Sequence, residues 1–226
     1  MLYNFIGFCY NRKKMKTKKD LKKIWAQVPP DYYQTRINEN LLQRYWHSQK
    51  ILTLKKILGK REFKKMLDNG CASGYMANEI SKIFPKAEIT GIDTYDKAIK
   101  FGKTQYPHIK LFLADAHKLP FKNKSFDLVI CYETIEHVID PVIVLQEIKR
   151  VLKKSGLAII AMDSGNLMFR TVWWVWERTS GKVWQNAHLH PFKHSELEKA
   201  IKKSGFKITK KYFSHFGMEV SFVVKP

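Results

Sequence analysis

Between residues 65 and 163 short apolar runs alternate with segments of helical period, and few architectures accommodate that alternation. KMLDNG, EITGID, KLFLAD, FDLVICYE and GLAIIAMD have the length and content of buried strands, whereas MANEISKIF, DKAIKFGKTQ and DPVIVLQEIKRVLK carry apolar residues at helical spacing. The pattern predicts an α/β fold, a parallel sheet with helices on both faces. Right-handed crossovers then bring every strand's carboxyl end to one edge, where such sheets bind their ligands. Further along, HSELEKAIKKSG reads as a helix, and FKITKKYFSHFGMEVSFVVKP as two strands joined by a turn at Gly217.

Upstream, a basic run over residues 12–23 leads to VPPDYY, a helix-breaking corner because Pro29 and Pro30 bias each preceding residue away from the α region. Leu41, Leu42, Tyr45, Ile51, Leu54, Ile57 and Leu58 then recur at near-helical spacing, with Gly59 as a stop, and predict one or two helices lying on the main domain. The expected organisation is a basic tail and helical cap over residues 1–59, and a main domain over 60–226 with a tryptophan-rich insertion at about 164–190. An apolar content of 45% in 226 residues is ample for such a core and argues against disorder. Cys9, Cys71 and Cys131 show no C-x-x-C spacing, so reduced thiols in a cytoplasmic setting are expected and no disulfide framework.

At the end of the first strand, MLDNGCASGY sets Asp68, Gly70 and Gly74 where a small-residue turn and backbone N–H groups can take a ligand closely. The spacing D-x-G-x-A-x-G differs from the dinucleotide fingerprint, and no Gly-Lys-Ser/Thr follows as a phosphate loop would require. Asp93 ends the second strand in GID, Asp115 ends the third in ADA, and FDLVICYETIEHV is a fourth strand running into its loop. With these four motifs in order, the chain resembles the class I S-adenosylmethionine-dependent methyltransferases, especially the branch of quinone-biosynthesis methyltransferases, closely over about residues 60–165 and more loosely towards the C-terminus.

That resemblance implies a Rossmann-like, doubly wound, mostly parallel seven-stranded sheet with an antiparallel C-terminal strand, and S-adenosylmethionine as cofactor. It implies that Asp68, Gly70, Ala72 and Gly74 pass the methionine part of the cofactor. Asp93, flanked by Thr94, would take the two ribose hydroxyls, Asp115 with Ala116 the adenine edge, and Tyr132 would join the cofactor-binding set. A carboxylate suits the diol because it accepts both O–H groups in charge-assisted bonds. Ala72 departs from the family's usual glycine by one methyl group.

In YETIEHV, Glu133, Glu136 and His137 stand at i, i+3 and i+4, so a helical turn would point all three the same way. They are the catalytic candidates. One reading makes His137 or a neighbouring carboxylate a general base or an acceptor-orienting group. A second makes E-x-x-E-H part of a divalent-metal site, completed by His188 or His190 of AHLHPF and similar to that of small-RNA 2′-O-methyltransferases. A third leaves the turn structural. In the tryptophan-rich stretch, Phe169, Val172, Trp173 and Trp176 share a helical face, either packed on the core or forming an aromatic lid over the acceptor. Arg170 and Arg178 on the same stretch can meet an anionic head group or simply be solvated.

A formal charge of +21 invites RNA or anionic lipid as a partner, although lysine pairs such as Lys55-Lys56 and Lys210-Lys211 are ordinarily a solvated surface. The N-terminal MLYNFIGFCYNRKK is too short to span a bilayer; it reads as a peripheral membrane foot, a frayed tail or an extension upstream of a start at Met15. The leading function is methyl transfer to a small or lipid-like acceptor. RNA methylation and a catalytically silent cofactor-binding partner protein are the alternatives.

Overall fold

The computed structural model describes residues 23–184 and 193–226. Residues 1–14, Met15, His188 and His190 therefore lie outside the described part. In chain order the elements are α1 (Tyr32–Glu39), α2 (Leu41–Leu58), β1 (Lys65–Asn69), α3 (Tyr75–Ile83), β2 (Glu88–Asp93), α4 (Asp96–Gln105) and β3 (Lys110–Leu113). They continue with β4 (Phe126–Tyr132), α5 (Pro141–Val151), β5 (Leu152–Asp163), α6 (Leu167–Arg178), α7 (His194–Lys203), β6 (Lys207–Ser214) and β7 (Glu219–Lys225).

The strands form one sheet in the order β3-β2-β1-β4-β5-β7-β6. Neighbours from β3 to β5 pair in parallel, and β7 runs antiparallel to both β5 and β6. The chain reverses direction across the sheet at β1, between β2 and β4, the switch point where open α/β sheets form their ligand crevice.

Strand side chains alternate between two cores. Leu67, Val129, Cys131, Ala158 and Ile160 face α5 and α7 through Val144, Leu145, Ile148, Leu197 and Ile201. Their neighbours Met66, Leu128, Ile130, Ile159 and Ala161 face the other way, against Leu54, Ile57 and Leu58 of α2 and Ala77 and Ile80 of α3. Burial on both faces explains why these strands read as continuous apolar runs rather than as alternating ones. It also makes α2 part of the main core.

Local chemistry sets the boundaries. Asn40 divides α1 from α2 and caps the latter, its Oδ1 accepting the N–H groups of Leu42 and Gln43. Asp140 caps α5 in the same way, with Pro141 at the first helical position. The helix expected to run through Lys153 stops at Val151, because Leu152 already pairs with Phe126; an irregularity then carries the register to Leu128 opposite Leu157. Between β3 and β4, Arg150 gathers the long connection by donating to the carbonyls of Leu119 and Phe121 while paired with Glu147.

A third, smaller cluster sits apart from both sheet faces. Val28, Tyr32 and Trp184 are buried in it, with Trp25, Tyr33, Trp173 and Trp176 packed around them. Phe169, Trp173 and Trp176 of α6 stack in sequence, with ring centroids 5.6 and 4.7 Å apart. Val172, expected on the same face, points outward instead and is exposed, because the cluster is narrower than a full helical face.

Candidate functional site

Both glycines of the first loop lie in the left-handed region, Gly70 at φ 88° and Gly74 at φ 82°. At Gly70 a Cβ would fall 2.1 Å from Thr134 Oγ1, and at Gly74 it would press on Leu111. The side chains are thus kept out by the protein's own packing, and what the loop turns outward is backbone. Ala72 also adopts positive φ, 46°, a strained conformation for a residue with a Cβ. Its N–H donates to Asp93 Oδ2 at 2.8 Å, while the Tyr95 N–H donates to Asp93 Oδ1 at 2.9 Å. The N–H groups of Gly70 and Cys71 share the Ile92 carbonyl.

Asp93 is therefore held from both sides, with lone pairs on each oxygen still to offer. Burial raises its pKa, partly offset by the Tyr95, Ala72 and Thr94 N–H groups. Asp68 is buried more completely; burial and then the charge of Asp93 push its pKa up to about 7, and its Oδ2 has no hydrogen-bond partner. Asp115 accepts both the backbone N–H and the ring Nδ1–H of His117, and His117 Nε2 accepts the N–H of Asp140. That chain selects one imidazole tautomer and orients the acid.

Asp93, Asp115 and His117 line a cavity of about 500 Å³. Gly70 and Ala72, Asp93 to Tyr95, Ala114 to His117, Thr134 and His137 form its sheet-side wall. The opposite wall is Trp25, Val28, Pro29, Pro30, Tyr32, Tyr33 and Trp184, the third cluster of the fold. Tyr95 Oη donates to the Val28 carbonyl, and Gln34 donates to Ser73 and Tyr106, so this wall is bonded to the glycine-loop side. A smaller pocket of about 60 Å³ adjoins it, lined by Asp68, His47, Lys50, Tyr75 and Tyr132; Tyr33, Gly70, Ala72 and Glu133 line both.

Glu133, Glu136 and His137 do not share a direction. Glu133 lies outside the short 3-10 turn Ile135–His137, at φ 46°, so no continuous helical turn joins the three. Its carboxylate pairs with Lys50 and accepts Trp46 Nε1–H at 3.1 Å, both from α2. Burial alone would raise the Glu133 pKa; the Lys50 charge and these bonds outweigh it and hold it below the usual carboxylate range. Glu136 turns into the interior, where burial and Asp163 push its pKa well up and its Oε2 has no partner. His137 lines the main cavity, edge-on to Trp25 at 5.2 Å.

Behind Glu133 lies a buried polar cluster. Asp163, raised to about 7 by burial and the Glu133 charge, pairs across the sheet with Glu219, which burial also raises. His215 donates Nε2–H to the Trp46 carbonyl at 2.8 Å, and His47 is lowered to about 3 by burial and Lys50. Among the described residues no group of three His, Cys, Asp or Glu side chains has metal-binding geometry. Tyr132 is buried with its hydroxyl 3.3 Å from Ser221 Oγ, and Thr94 is an exposed part of the main cavity's rim. Cys71 and Cys131 are buried, the latter's thiol pushed up to about 12 by burial, as small packed residues would be.

Sequence reasoning missed Trp46, His47, Lys50, His117 and His215. A signal existed for two of them. The buried stripe of α2 runs His47, Lys50, Leu54, Ile57, so two polar residues continue an apolar stripe towards the strand ends.

Residues 67–160 match the model of a methyltransferase domain. A demethylmenaquinone methyltransferase of Staphylococcus aureus is 30% identical over 138 residues, 55% of this chain and 57% of that protein. A probable S-adenosylmethionine-dependent methyltransferase of Mycobacterium tuberculosis is 25% identical over 120 residues, 53% of this chain and 43% of that protein. The chain thus spans about half the length of the curated relatives it matches. Among solved structures, a Pyrococcus horikoshii protein superposes with TM-score 0.69 at 21% identity over 89% of this chain and 98% of its own. A methyltransferase of Aquifex aeolicus does so with TM-score 0.64 at 15% identity, over 91% and 97%. Sheet order and these likenesses agree: residues 67–160 match a methyltransferase domain, and the chain has the fold of the class I S-adenosylmethionine-dependent methyltransferases.

Proposed function

We propose that this chain transfers a methyl group from S-adenosylmethionine to a small or lipid-like acceptor. The observation that carries the reading is Asp93, a carboxylate pinned by two backbone N–H groups at the wall of the 500 Å³ cavity. Such a carboxylate is preorganised for a vicinal diol, since the N–H bonds fix its orientation before any ligand arrives. Asp115 and Ala116 stand on the same wall for the adenine edge, and the unpartnered Asp68 Oδ2 at the smaller pocket suits the ammonium of an amino acid. These residues fit the cofactor.

When bound, the cofactor supplies a methyl group on a positively charged sulfur, and transfer is an in-line displacement. The chain's own residues then align and desolvate the acceptor. His137, on the cavity wall, is the group suited to taking an acceptor's proton. Glu133 acts as a fixed, ionised hydrogen-bond acceptor that orients, because Lys50 and Trp46 already hold it. The aromatic wall of Trp25, Tyr32, Tyr33 and Trp184 favours a planar or lipophilic acceptor over a strongly hydrated one. A cytoplasmic enzyme meeting such an acceptor at a membrane surface fits this reading, and no helix among the described residues is long and apolar enough to cross one.

Calorimetry tests the cofactor half. Asp93→Ala and Asp93→Asn should weaken S-adenosylmethionine and its demethylated product by about tenfold to a hundredfold, the worth of one charge-assisted contact. Unchanged affinity in a folded variant removes Asp93 from the site.

A further inference from the structure

Helix α6 is apolar nearly all round, LMFRTVWWVWER, yet only Phe169 is buried in it. One face packs on the aromatic wall of the cavity through Phe169, Trp173 and Trp176. The other exposes Leu167, Met168, Val172 and Val175. A helix that is apolar on both sides needs a second apolar environment.

This outer face has neighbours of the same kind. Asn166, the residue before α6, donates to the Gly217 carbonyl at 2.8 Å, which brings the helix start beside the turn His215–Gly217. Two successive non-glycine residues of that turn are left-handed, His215 at φ 51° and Phe216 at φ 55°. The Phe216 ring is 78% exposed. His215 in turn contacts the Tyr45 ring of α2, one helical turn after Leu41, and Leu41 and Leu42 are 76% and 78% exposed. Leu167 is 72% exposed. Three elements that are linked to one another through Asn166, Gly217, His215 and Tyr45 thus each expose a large apolar side chain next to those links. Solitary exposed leucines are ordinary; a joined set from three elements marks an interaction surface.

Its charge selects the occupant. Helix α2 has no acidic residue in 18, and α6 has Glu177 alone against Arg170 and Arg178. Arg178 lies 4.1 Å over the Trp174 ring, an aromatic and a cation sharing the exposed side. The whole chain carries +21. Apolar tips set in a cationic surround complement a bilayer with an anionic head-group layer.

We propose that the face built by the start of α2, the turn His215–Gly217 and the outer side of α6 docks on an anionic membrane surface, with Leu41, Leu42, Leu167 and Phe216 entering the lipid. Trp46 and His215, directly behind this face, contact each other and Trp46 bonds Glu133, so docking would set the acceptor side of the site against the bilayer. The inference stands on exposure and charge, and does not require the acceptor to be a lipid.

The test is co-sedimentation of the full chain with phosphatidylglycerol vesicles, with neutral phosphatidylcholine vesicles, and titration with single-stranded RNA. A Leu42→Glu, Leu167→Glu, Phe216→Asp variant should bind anionic vesicles about a hundredfold or more weakly, since each buried leucine or phenylalanine is worth roughly tenfold. Its melting temperature and cofactor affinity should stay near those of the parent, because these side chains touch neither core nor cavity. A second variant with Phe5→Glu, Ile6→Glu and Phe8→Glu should keep most of the binding. Undiminished vesicle binding by the first variant overturns the proposal. So does loss confined to the second, which would assign the contact to the N-terminal segment, equal affinity for neutral vesicles, or binding of RNA without binding of vesicles.

Discussion

The two halves of the site are held by different means. On the proposed cofactor side, the glycine loop and Asp93 are organised by backbone N–H groups and carbonyls, and Asp115 by the backbone and ring N–H of the nearby His117. On the proposed acceptor side, Trp46, Lys50, Glu133 and His215 are joined by one ion pair and by hydrogen bonds between segments far apart in the chain, with the carboxyls of Asp163 and Glu219 buried beside them and their pKa values pushed up by that burial. The first tolerates change wherever the backbone path survives. The second is a buried polar network, in which each member's cost of burial depends on the others being present.

The sharpest way to break the comparison is Lys50→Met. It leaves the partly buried Glu133 carboxylate with the Trp46 N–H but no cation and should cost about 1–3 kcal/mol in chemical denaturation, while Glu133→Gln added to it should restore a large part. A loss that the double variant does not reduce would mean the pair is incidental to stability. Next in size, His137→Ala should lower the methylation rate by about a hundredfold where the acceptor must lose a proton, with cofactor affinity nearly unchanged. Equal losses in rate and cofactor affinity would place His137 on the cofactor side instead.

The pH dependence sharpens the contrast. Asp68 and Asp163 have folded pKa values of about 7, above their ordinary value, so the folded state binds more protons than the unfolded chain. Their contribution to stability is complete below about pH 4 and is lost as the pH rises through 7, on the order of 1 kcal/mol per pH unit for each group. Glu133 has the opposite sign, its contribution present above the ordinary glutamate range and lost on acidification. Urea unfolding between about pH 5 and 8 should therefore show falling stability, and Asp163→Asn and Asp68→Asn should each flatten the slope. A profile unchanged in both variants would remove these carboxyls as its cause. The smallest effect belongs to the frame that both halves share: Arg150→Ala frees the connection before β4 and should cost about 1–2 kcal/mol in thermal or urea unfolding, with cofactor affinity kept. A loss within error would show that Glu147, through its bond to the Leu119 N–H, suffices alone.

What could be read beforehand was whatever local pattern controls. The α/β alternation, the stop at Gly59, and the acids at the end of β2 and just after β3 follow from residue spacing, because backbone periodicity acts within a few positions; the caps at Asn40 and Asp140 come from the structure. The triad in YETIEHV shows where that stops. Spacing of i, i+3 and i+4 brings side chains together only on a continuous helix, and the left-handed backbone at Glu133 sends Glu133 to Lys50, Glu136 to the interior and His137 to the cavity.

Tertiary packing alone decided that Lys50 and Trp46, more than eighty residues upstream, would be partners of Glu133, and that His215, 169 residues from Trp46, would close the same cluster. The amino-acid sequence by itself determined a doubly wound sheet and the acids along its ligand edge, because each of those is a property of one segment. The proposed acceptor side belongs to no one segment. Its charges are tolerable in the interior only when brought together, and that condition exists only once the chain has folded.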